Sequence, residues 1–164
     1  MGKVIVLSGV SGSGKSTHAT KLLSAPDRLG SACVVSADQF FIRRTEKNPH
    51  GEYVFDAAKL SQAHADCFHR FINALQGGVD LVIVDNTNTT NEELAPYMLA
   101  AAAFEYEAEI VSLYLCMPFP VQIDKCVARN THGVSEQAIA NQHYRLGKRH
   151  LLPWWKNTSI PVKL

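Results

Sequence analysis

The segment Gly9–Thr17, with the sequence GVSGSGKST, combines glycines, hydroxyl groups and one lysine at fixed spacing. It fits the pattern G-x-x-x-x-G-K-[ST], in which glycines let backbone N–H groups approach an anion and the lysine adds a compact cation. An apolar run precedes the segment and a helix-compatible stretch follows it, so the helix N-terminus would also face the anion. A flexible glycine-serine turn would not need Lys-Ser-Thr in this register. The segment therefore predicts a nucleoside triphosphate site.

Within this loop, residue type suggests individual roles. We expect Lys15 to contact the β- and γ-phosphates of ATP, and the Ser16 hydroxyl to bind Mg²⁺. The residues expected to contact ATP are Gly9, Ser11, Gly12, Ser13, Gly14, Lys15, Ser16 and Thr17. Such a loop leaves three fates open for the γ-phosphate: transfer to an acceptor, hydrolysis that drives motion, or retention as a switch.

A second acid, Asp85, ends the apolar run DLVIVD at residues 80–85. At the end of a buried strand beside a phosphate site, a carboxylate of this kind orients Mg²⁺ or its water shell. The alternative is a turn residue ahead of a helix, for which Thr90 already supplies a cap. The short polar residues that follow, Asn86, Thr87 and Asn88, could hydrogen-bond a substrate.

Asp38 follows another apolar run, SACVVS at residues 31–36. Aspartate is common in turns and helix caps, which is the simplest interpretation. Near a triphosphate, however, a carboxylate at a strand end can accept the proton of an attacking hydroxyl. We therefore interpret Asp38 as a candidate general base, with Phe40 and Phe41 forming an apolar or stacking wall beside it.

Arg129 lies in the sequence KCVARNTHGVS, where a predicted helix gives way to a His-Gly turn. An arginine that swings over the triphosphate would neutralise charge on the transferring group. A solvated arginine at the negative end of a helix dipole is the alternative. Arg145, Lys148 and Arg149 form a basic helical stretch that is equally consistent with an ordinary exposed face.

These side chains need elements that bring them together. Short apolar runs at residues 3–8, 31–36, 80–85 and 109–115, with a possible edge strand at 160–164, alternate with helical patterns. The helices are predicted from Asp56 to Gly77, from the capping box at 90–93, from Pro118 or Pro120, and from Ser135. This alternation predicts an α/β fold, a parallel sheet of about five strands flanked by helices. Ligands of such sheets bind at the carboxyl ends of the strands.

The chain has 164 residues and a formal net charge of +1, so we expect one domain, residues 1–164, without a broad nucleic-acid-coating surface. Cys33, Cys67, Cys116 and Cys126 lie far apart without a CxxC pair, which favours free thiols in a reducing compartment. The sequence indicates no membrane span, no signal peptide and no required protein partner. We expect a cytoplasmic protein.

Five segments resemble the P-loop kinases related to the kinase domain of phage polynucleotide 5′-kinase, including compact bacterial and phage "predicted kinases". The matching segments, in the family's order, are GVSGSGKST, SADQFF, GEYVFD, VDNTNTT and RNTHGV. The resemblance implies an adenylate-kinase-like core with a small helical lid. It also implies that Asp38 is the general base, Arg129 a lid arginine, and Asp85 with its neighbours part of the acceptor side.

The chain departs from that family at one position. Polynucleotide kinases have an acceptor-phosphate arginine one turn beyond the base, where this sequence has Phe41; Arg43 or Arg44 could substitute. The resemblance implies ATP-dependent, Mg²⁺-requiring transfer to a hydroxyl, with a polynucleotide 5′-OH or a nucleotide-like molecule as acceptor. The alternatives are a kinase for a hydroxymethylated base in DNA or a small metabolite, and a nucleotide-binding ATPase or switch module.

Overall fold

The computed structural model describes residues 2–26, 30–46, 48–115 and 119–162. Seven strands are present in these ranges: β1 (Lys3–Ser8), β2 (Ala32–Val35), β3 (Ile42–Thr45), β4 (Asn48–Tyr53), β5 (Leu81–Val84), β6 (Glu107–Leu115) and β7 (Asn157–Val162). The α-helices are α1 (Lys15–Leu23), α2 (Leu60–Gln76), α3 (Asn91–Ala103), α4 (Phe119–Arg129) and α5 (Glu136–Lys148). Two short 3₁₀ helices, Ala37–Phe41 and Ala57–Lys59, complete the elements.

The central sheet has five strands in the order β2-β5-β1-β6-β7, and all four pairings are parallel. Its central strand β1 is almost wholly buried, as expected for a β-branched run covered on both faces. In register, Val4 lies between Val82 of β5 and Ala108 of β6. The predicted five-stranded parallel α/β sheet is confirmed. The edge strand β7 begins at Asn157, before the predicted residue 160.

The helices begin where capping chemistry predicts. Thr90 accepts a hydrogen bond from the Glu93 N–H and Glu93 reaches back to the cap, so the capping box that opens α3 is confirmed. Ser135 caps α5. Asp56 caps the 3₁₀ helix that leads into α2, so α2 itself begins four residues after this cap. Pro118 lies outside the described residues, and α4 begins one residue later, at Phe119.

Each face of the sheet carries its own apolar cluster. On one face, α2 and α3 bury large side chains such as Phe71 and Leu94 against β1, β2 and β5. On the other face, α1 buries Ala19 against β1, β5 and β6. A third cluster, of Val10, Leu115, Cys126 and Ile139, packs α4 and α5 over the carboxyl ends of β1 and β6. Helices therefore pack on both faces of the sheet and over the carboxyl ends of its strands, where ligands of parallel sheets bind.

The sequence analysis did not predict the antiparallel hairpin of β3 and β4. Its residues are mostly exposed and polar, so they carry no apolar run that would mark a strand. The hairpin follows the 3₁₀ helix that contains Asp38, and it therefore flanks the predicted site.

The ordinary exposed face that the sequence left open for Arg145, Lys148 and Arg149 does not include Arg149. Arg149 follows the end of α5 and is partly buried, because its guanidinium donates hydrogen bonds to Ser8 Oγ and to the Asn88 carbonyl, both at 2.7 Å. It joins the end of β1 to the loop after β5.

Cys33, Cys67 and Cys126 are free thiols, and Cys116 lies outside the described residues. Within the described ranges, none of the helices combines the length and apolar character required to cross a bilayer.

Candidate active site

A cleft of about 230 Å³ opens at the carboxyl ends of β1, β2 and β5. The phosphate loop, the ends of two acid-bearing strands and the turn between α4 and α5 surround it. Its lining comprises Ser11, Gly12, Gly14, Lys15, Ser16, Thr17, Asp38, Asp85, Asn86, Thr87, Arg129, Asn130, Thr131 and His132. The structure therefore brings most of the sequence-predicted site residues into one cavity.

The phosphate loop needs its glycines for two distinct reasons. Gly14 has φ +96°, a left-handed conformation that side chains disfavour, and α1 begins at the next residue. A Cβ at Gly12 would lie 2.1 Å from the Cys126 carbonyl oxygen, so α4 packs directly on the loop backbone. Both positions are thus closed to larger residues by geometry.

Lys15 is buried, and its Nζ donates a 2.8 Å hydrogen bond to the Val10 carbonyl across the loop. Burial lowers the pKa of Lys15 to about 8, an effect that the negative charge of Asp85 partly opposes. A triphosphate entering the loop would supply compensating negative charge, which favours the protonated ammonium.

Two of the residues predicted to contact ATP, Gly9 and Ser13, lie outside the cleft. The Gly9 N–H donates to the Thr87 carbonyl at 2.9 Å, so this group joins the loop to the segment after β5. The buried Ser13 side chain lines a separate apolar cavity beside α4 and α5. Neither residue lines the cleft.

Asp85 and Ser16 form the hard-oxygen part of the cleft. Both residues line the cleft, and the Ser16 hydroxyl interacts favourably with the ionised Asp85 carboxylate. Burial raises the pKa of Asp85, and the Ser16 hydroxyl and Lys15 oppose that rise. A hydroxyl and a carboxylate side by side at the phosphate loop are ligands that suit Mg²⁺, which prefers oxygen donors. The residues present therefore fit a magnesium ion.

Asp38 faces this pair from the 3₁₀ helix after β2. Its backbone N–H donates to Ser36 Oγ at 3.2 Å, which fixes the start of that helix. One carboxylate oxygen, Oδ1, accepts a 3.0 Å hydrogen bond from Tyr53 Oη on β4. The other, Oδ2, lies 3.7 Å from His132 Nε2, and the side chain as a whole is 48% exposed. Asp38 thus remains accessible from the cleft.

Arg129 is the last residue of α4 and an exposed part of the cleft wall. Its guanidinium lies against the phosphate loop: a Cβ at Gly14 would be 3.4 Å from Arg129 Nη2. The turn that follows is held by Asn130, whose Nδ2 donates to the Val134 carbonyl at 2.7 Å and whose Oδ1 accepts from the His132 N–H at 3.1 Å. The arginine and His132 are therefore presented by one structured turn.

The side chains of the predicted substrate-binding asparagines already make hydrogen bonds within the protein. Asn86 Oδ1 accepts from the Ala37 N–H at 2.9 Å, and Asn86 Nδ2 faces Cys67 Sγ and Tyr97 Oη at 3.4 and 3.3 Å. Asn88, with φ +44°, donates to the Leu7 carbonyl at 2.7 Å and does not line the cleft. Thr87 lies on the cleft wall.

The predicted aromatic wall and basic pair are also spread apart. Phe41 is only 3% exposed and belongs to the core, while Phe40 is partly buried against it. Arg43 is exposed on β3 and does not line the cleft. The side chain of Arg44 lies outside the described part of the chain.

Among the residues of the site that sequence reasoning missed, three contact predicted site residues. Tyr53 and His132 both contact Asp38, and Gln142 contacts the phosphate loop. Tyr53 lies in GEYVFD and His132 in RNTHGV, so both were inside quoted motifs without an assigned role. Gln142 carried no signal, because its partner Ser11 is 131 residues away in the sequence.

The comparisons agree with this fold. The AAA_33 family, described as an AAA domain, matches residues 4–150. This chain belongs to that family. Human NEDD4-binding protein 2 is 28% identical over 163 residues, which are 98% of this chain and 8% of that protein. The chain therefore spans a small part of that relative's length.

Solved structures share the architecture. A sugar kinase from Janibacter sp. HTCC2649 aligns with a TM-score of 0.60 at 18% identity, covering 98% of this chain and 86% of that one. A chain of the Pnkp1/Rnl/Hen1 RNA repair complex aligns with a TM-score of 0.61 at 19% identity, and the alignment covers 89% of this chain and 44% of that one. This chain therefore shares its fold with these two solved structures.

Proposed function

We propose that this chain is a single kinase domain that transfers the γ-phosphate of ATP to a hydroxyl, and that the acceptor is the 5′-OH of a polynucleotide. The observation that carries the proposal is the position of Asp38, an accessible carboxylate in the same cleft as Lys15, Asp85 and Arg129. An ATPase or switch needs no second carboxylate on the acceptor side of the phosphates. A phosphotransferase has a direct use for one, as a proton acceptor.

In the proposed reaction, the acceptor oxygen attacks the γ-phosphorus and forms a new P–O bond. The bond between the γ-phosphorus and the β–γ bridging oxygen breaks, and ADP leaves with that electron pair. The acceptor proton moves to Asp38. Lys15 and the backbone N–H groups of the loop hold the phosphates, and Arg129 neutralises charge on the equatorial oxygens of the transferring group.

Ser16 and Asp85 would hold Mg²⁺, directly or through its water shell. Bound there, the ion would supply positive charge next to the β- and γ-phosphates. Both side chains line the same cleft, next to Lys15 of the phosphate loop.

The resemblance of GVSGSGKST, SADQFF and VDNTNTT to polynucleotide kinases supports a polynucleotide acceptor. The likeness to a chain of an RNA repair complex is consistent with it. One observation favours a second candidate, a small hydroxylated metabolite: at the position of the acceptor-phosphate arginine this chain has Phe41, which is buried in the core. A small neutral acceptor would not need that arginine.

The test is a transfer assay with γ-labelled ATP over 5′-OH DNA, 5′-OH RNA, hydroxymethylated DNA, nucleosides and simple sugars. We expect labelled product with a 5′-OH strand, and ATP turnover that rises when the acceptor is added. Label on a small molecule alone would replace the polynucleotide proposal. Turnover that no acceptor changes would favour the ATPase or switch.

A matched pair of variants checks that the label comes from this site. Lys15→Ala should abolish transfer, because the cation facing the phosphates is lost. Lys21→Ala removes an exposed lysine at the other end of α1 and should transfer normally.

A further inference from the structure

Tyr53 connects the β3–β4 hairpin to the candidate general base. Its hydroxyl donates to Asp38 Oδ1 at 3.0 Å across 15 residues of sequence. Its ring packs edge-on against the buried Phe41, with centroids 6.1 Å apart, and lies 4.5 Å from the His132 ring. The hydroxyl is therefore held from two sides and has little freedom to move away from Asp38.

This geometry makes the two oxygens of Asp38 different. Oδ1 accepts from Tyr53, whereas Oδ2 lies 3.7 Å from Nε2 of His132, a residue of the cleft wall, which is beyond hydrogen-bond distance. A carboxylate that rotates freely would present either oxygen to the acceptor at varying angles. With Oδ1 held, Oδ2 keeps one orientation.

We propose that Tyr53 is a positioning residue that fixes Asp38 so that Oδ2 receives the acceptor proton. The proposal rests on the proposed function of Asp38 as general base. In the step concerned, the acceptor O–H bond breaks, the proton goes to Oδ2, and the electron pair forms the bond to phosphorus. Preorganised geometry of this kind matters because small displacements of a reacting group cost large factors in rate.

The charged and titratable groups that face Asp38 come from several elements: Tyr53 of β4, His132 of the turn after α4, Lys15 of the phosphate loop and Asp85 after β5. Burial raises the pKa of Tyr53, so its hydroxyl stays a donor across the working pH range. A hydrogen bond to a carboxylate stabilises the charged form. Removal of the Tyr53 hydroxyl should therefore leave the Asp38 carboxylate without the contact that orients Oδ1.

The decisive variant is Tyr53→Phe, which keeps the ring and removes only the hydroxyl. We expect kcat to fall about tenfold or more, the scale of one hydrogen bond to a charged group, with the KM for ATP unchanged. The matched control is Tyr106→Phe, which removes a hydroxyl bonded to the Leu75 carbonyl, away from the cleft. The control should leave kcat unchanged.

A double variant separates positioning from structural support. In an Asp38→Asn background, Tyr53→Phe should cause no further loss of kcat, because the residue through which it acts is already disabled. Additive losses would contradict the proposal. So would a Tyr53→Phe enzyme with normal kcat.

If Asp38→Asn transfers phosphate normally, the proposed function itself is at fault. If Asp38→Asn is inactive while Tyr53→Phe has normal activity, the positioning role of Tyr53 is wrong and the proposed function still stands.

Discussion

The backbone N–H of Ser11 in the phosphate loop donates a 2.8 Å hydrogen bond to Gln142 Oε1 on α5. Gln142 is buried, and its neighbour Ile139 packs with Val10 of the same loop in one apolar cluster. The helix that follows the Arg129 turn is therefore bonded to the loop that would hold the triphosphate. Through this contact, the position of α5 and the shape of the phosphate loop depend on each other.

Gln142→Ala should weaken ATP binding, because the Ser11 N–H loses its partner and the loop loses a support. We expect the Kd for ATP to rise about five- to tenfold, which corresponds to roughly 1 kcal/mol for one hydrogen bond. The measurement is calorimetric titration with a non-hydrolysable ATP analogue. Asn141→Ala, an exposed position on the same helix, is the control and should bind normally.

Asp38→Asn and Asp85→Asn should fail in different ways. Asp38→Asn keeps the shape of the side chain but cannot accept a proton, so kcat should fall by roughly 10²-fold or more while nucleotide affinity is retained. Asp85→Asn should instead raise the Mg²⁺ concentration needed for half-maximal rate. Steady-state kinetics over a magnesium series distinguishes the two. A fully active Asp38→Asn enzyme would return this residue to the role of a helix-start aspartate.

Arg129→Ala should lower kcat and kcat/KM together and leave ground-state nucleotide affinity nearly intact, because the arginine acts on charge that develops during transfer. Arg129→Lys should rescue poorly, since an ammonium cannot match two phosphoryl oxygens as a planar guanidinium does. Lys125→Ala removes an exposed cation from the same helix and serves as control. Thermal melts must accompany the kinetics: a lowered Tm with normal kcat would mean that Arg129 only caps α4.

The sequence predicted what local patterns encode. Apolar runs gave the five strands, Thr90 and Glu93 gave the start of α3, and GVSGSGKST gave the phosphate loop. It did not predict contacts between distant residues: Arg149 reaches Ser8 across 141 positions. Nor did it predict that Asn86 would turn its amide inward, because a polar residue after a strand looks the same whether it bonds a ligand or a backbone N–H.

Arg149→Met should destabilise the fold, because the Asn88 carbonyl and Ser8 hydroxyl would lose a charged donor in a partly buried setting. We expect a loss of about 1 to 3 kcal/mol in the free energy of unfolding, measured by urea titration. Arg145→Met is the matched control, since Arg145 is exposed and lies 3.7 Å from Glu93. Equal losses in the two variants would restore the exposed-face interpretation of Arg149.

Glu109 on β6 bonds to strands on both sides, to Thr158 of β7 and to Lys3 of β1 at 3.1 Å. The Thr158 hydrogen bond and then Lys3 lower the pKa of Glu109, although burial opposes them. A depressed folded-state pKa stabilises the protein above the unfolded-state value of about 4.3, and this stability is lost as pH falls through the folded value.

Glu109→Gln should therefore cost about 1 to 2 kcal/mol at pH 7 and progressively less below pH 4. Thermal melts over a pH series measure the difference. Glu107→Gln removes an exposed carboxylate paired with Lys156 and should have a much smaller effect. A Glu109→Gln deficit that persists unchanged in acid would exclude the ionised carboxylate as its cause.

The Asn86 side chain locks the ends of β2 and β5 together. Its Oδ1 binds the Ala37 N–H, and the Asp85 N–H donates to the Val35 carbonyl, both at 2.9 Å. Asp85 donates one of these bonds, and Asp38 is the residue next to Ala37, which donates the other. The two acids therefore belong to the same cooperatively folded part of the sheet edge. In hydrogen–deuterium exchange, the Ala37 and Asp85 amides should exchange only with global unfolding, whereas amides of the turn at 130–134 should exchange through local opening. We therefore expect the turn at 130–134 to move when a substrate binds, while the strand ends that carry Asp38 and Asp85 keep their positions.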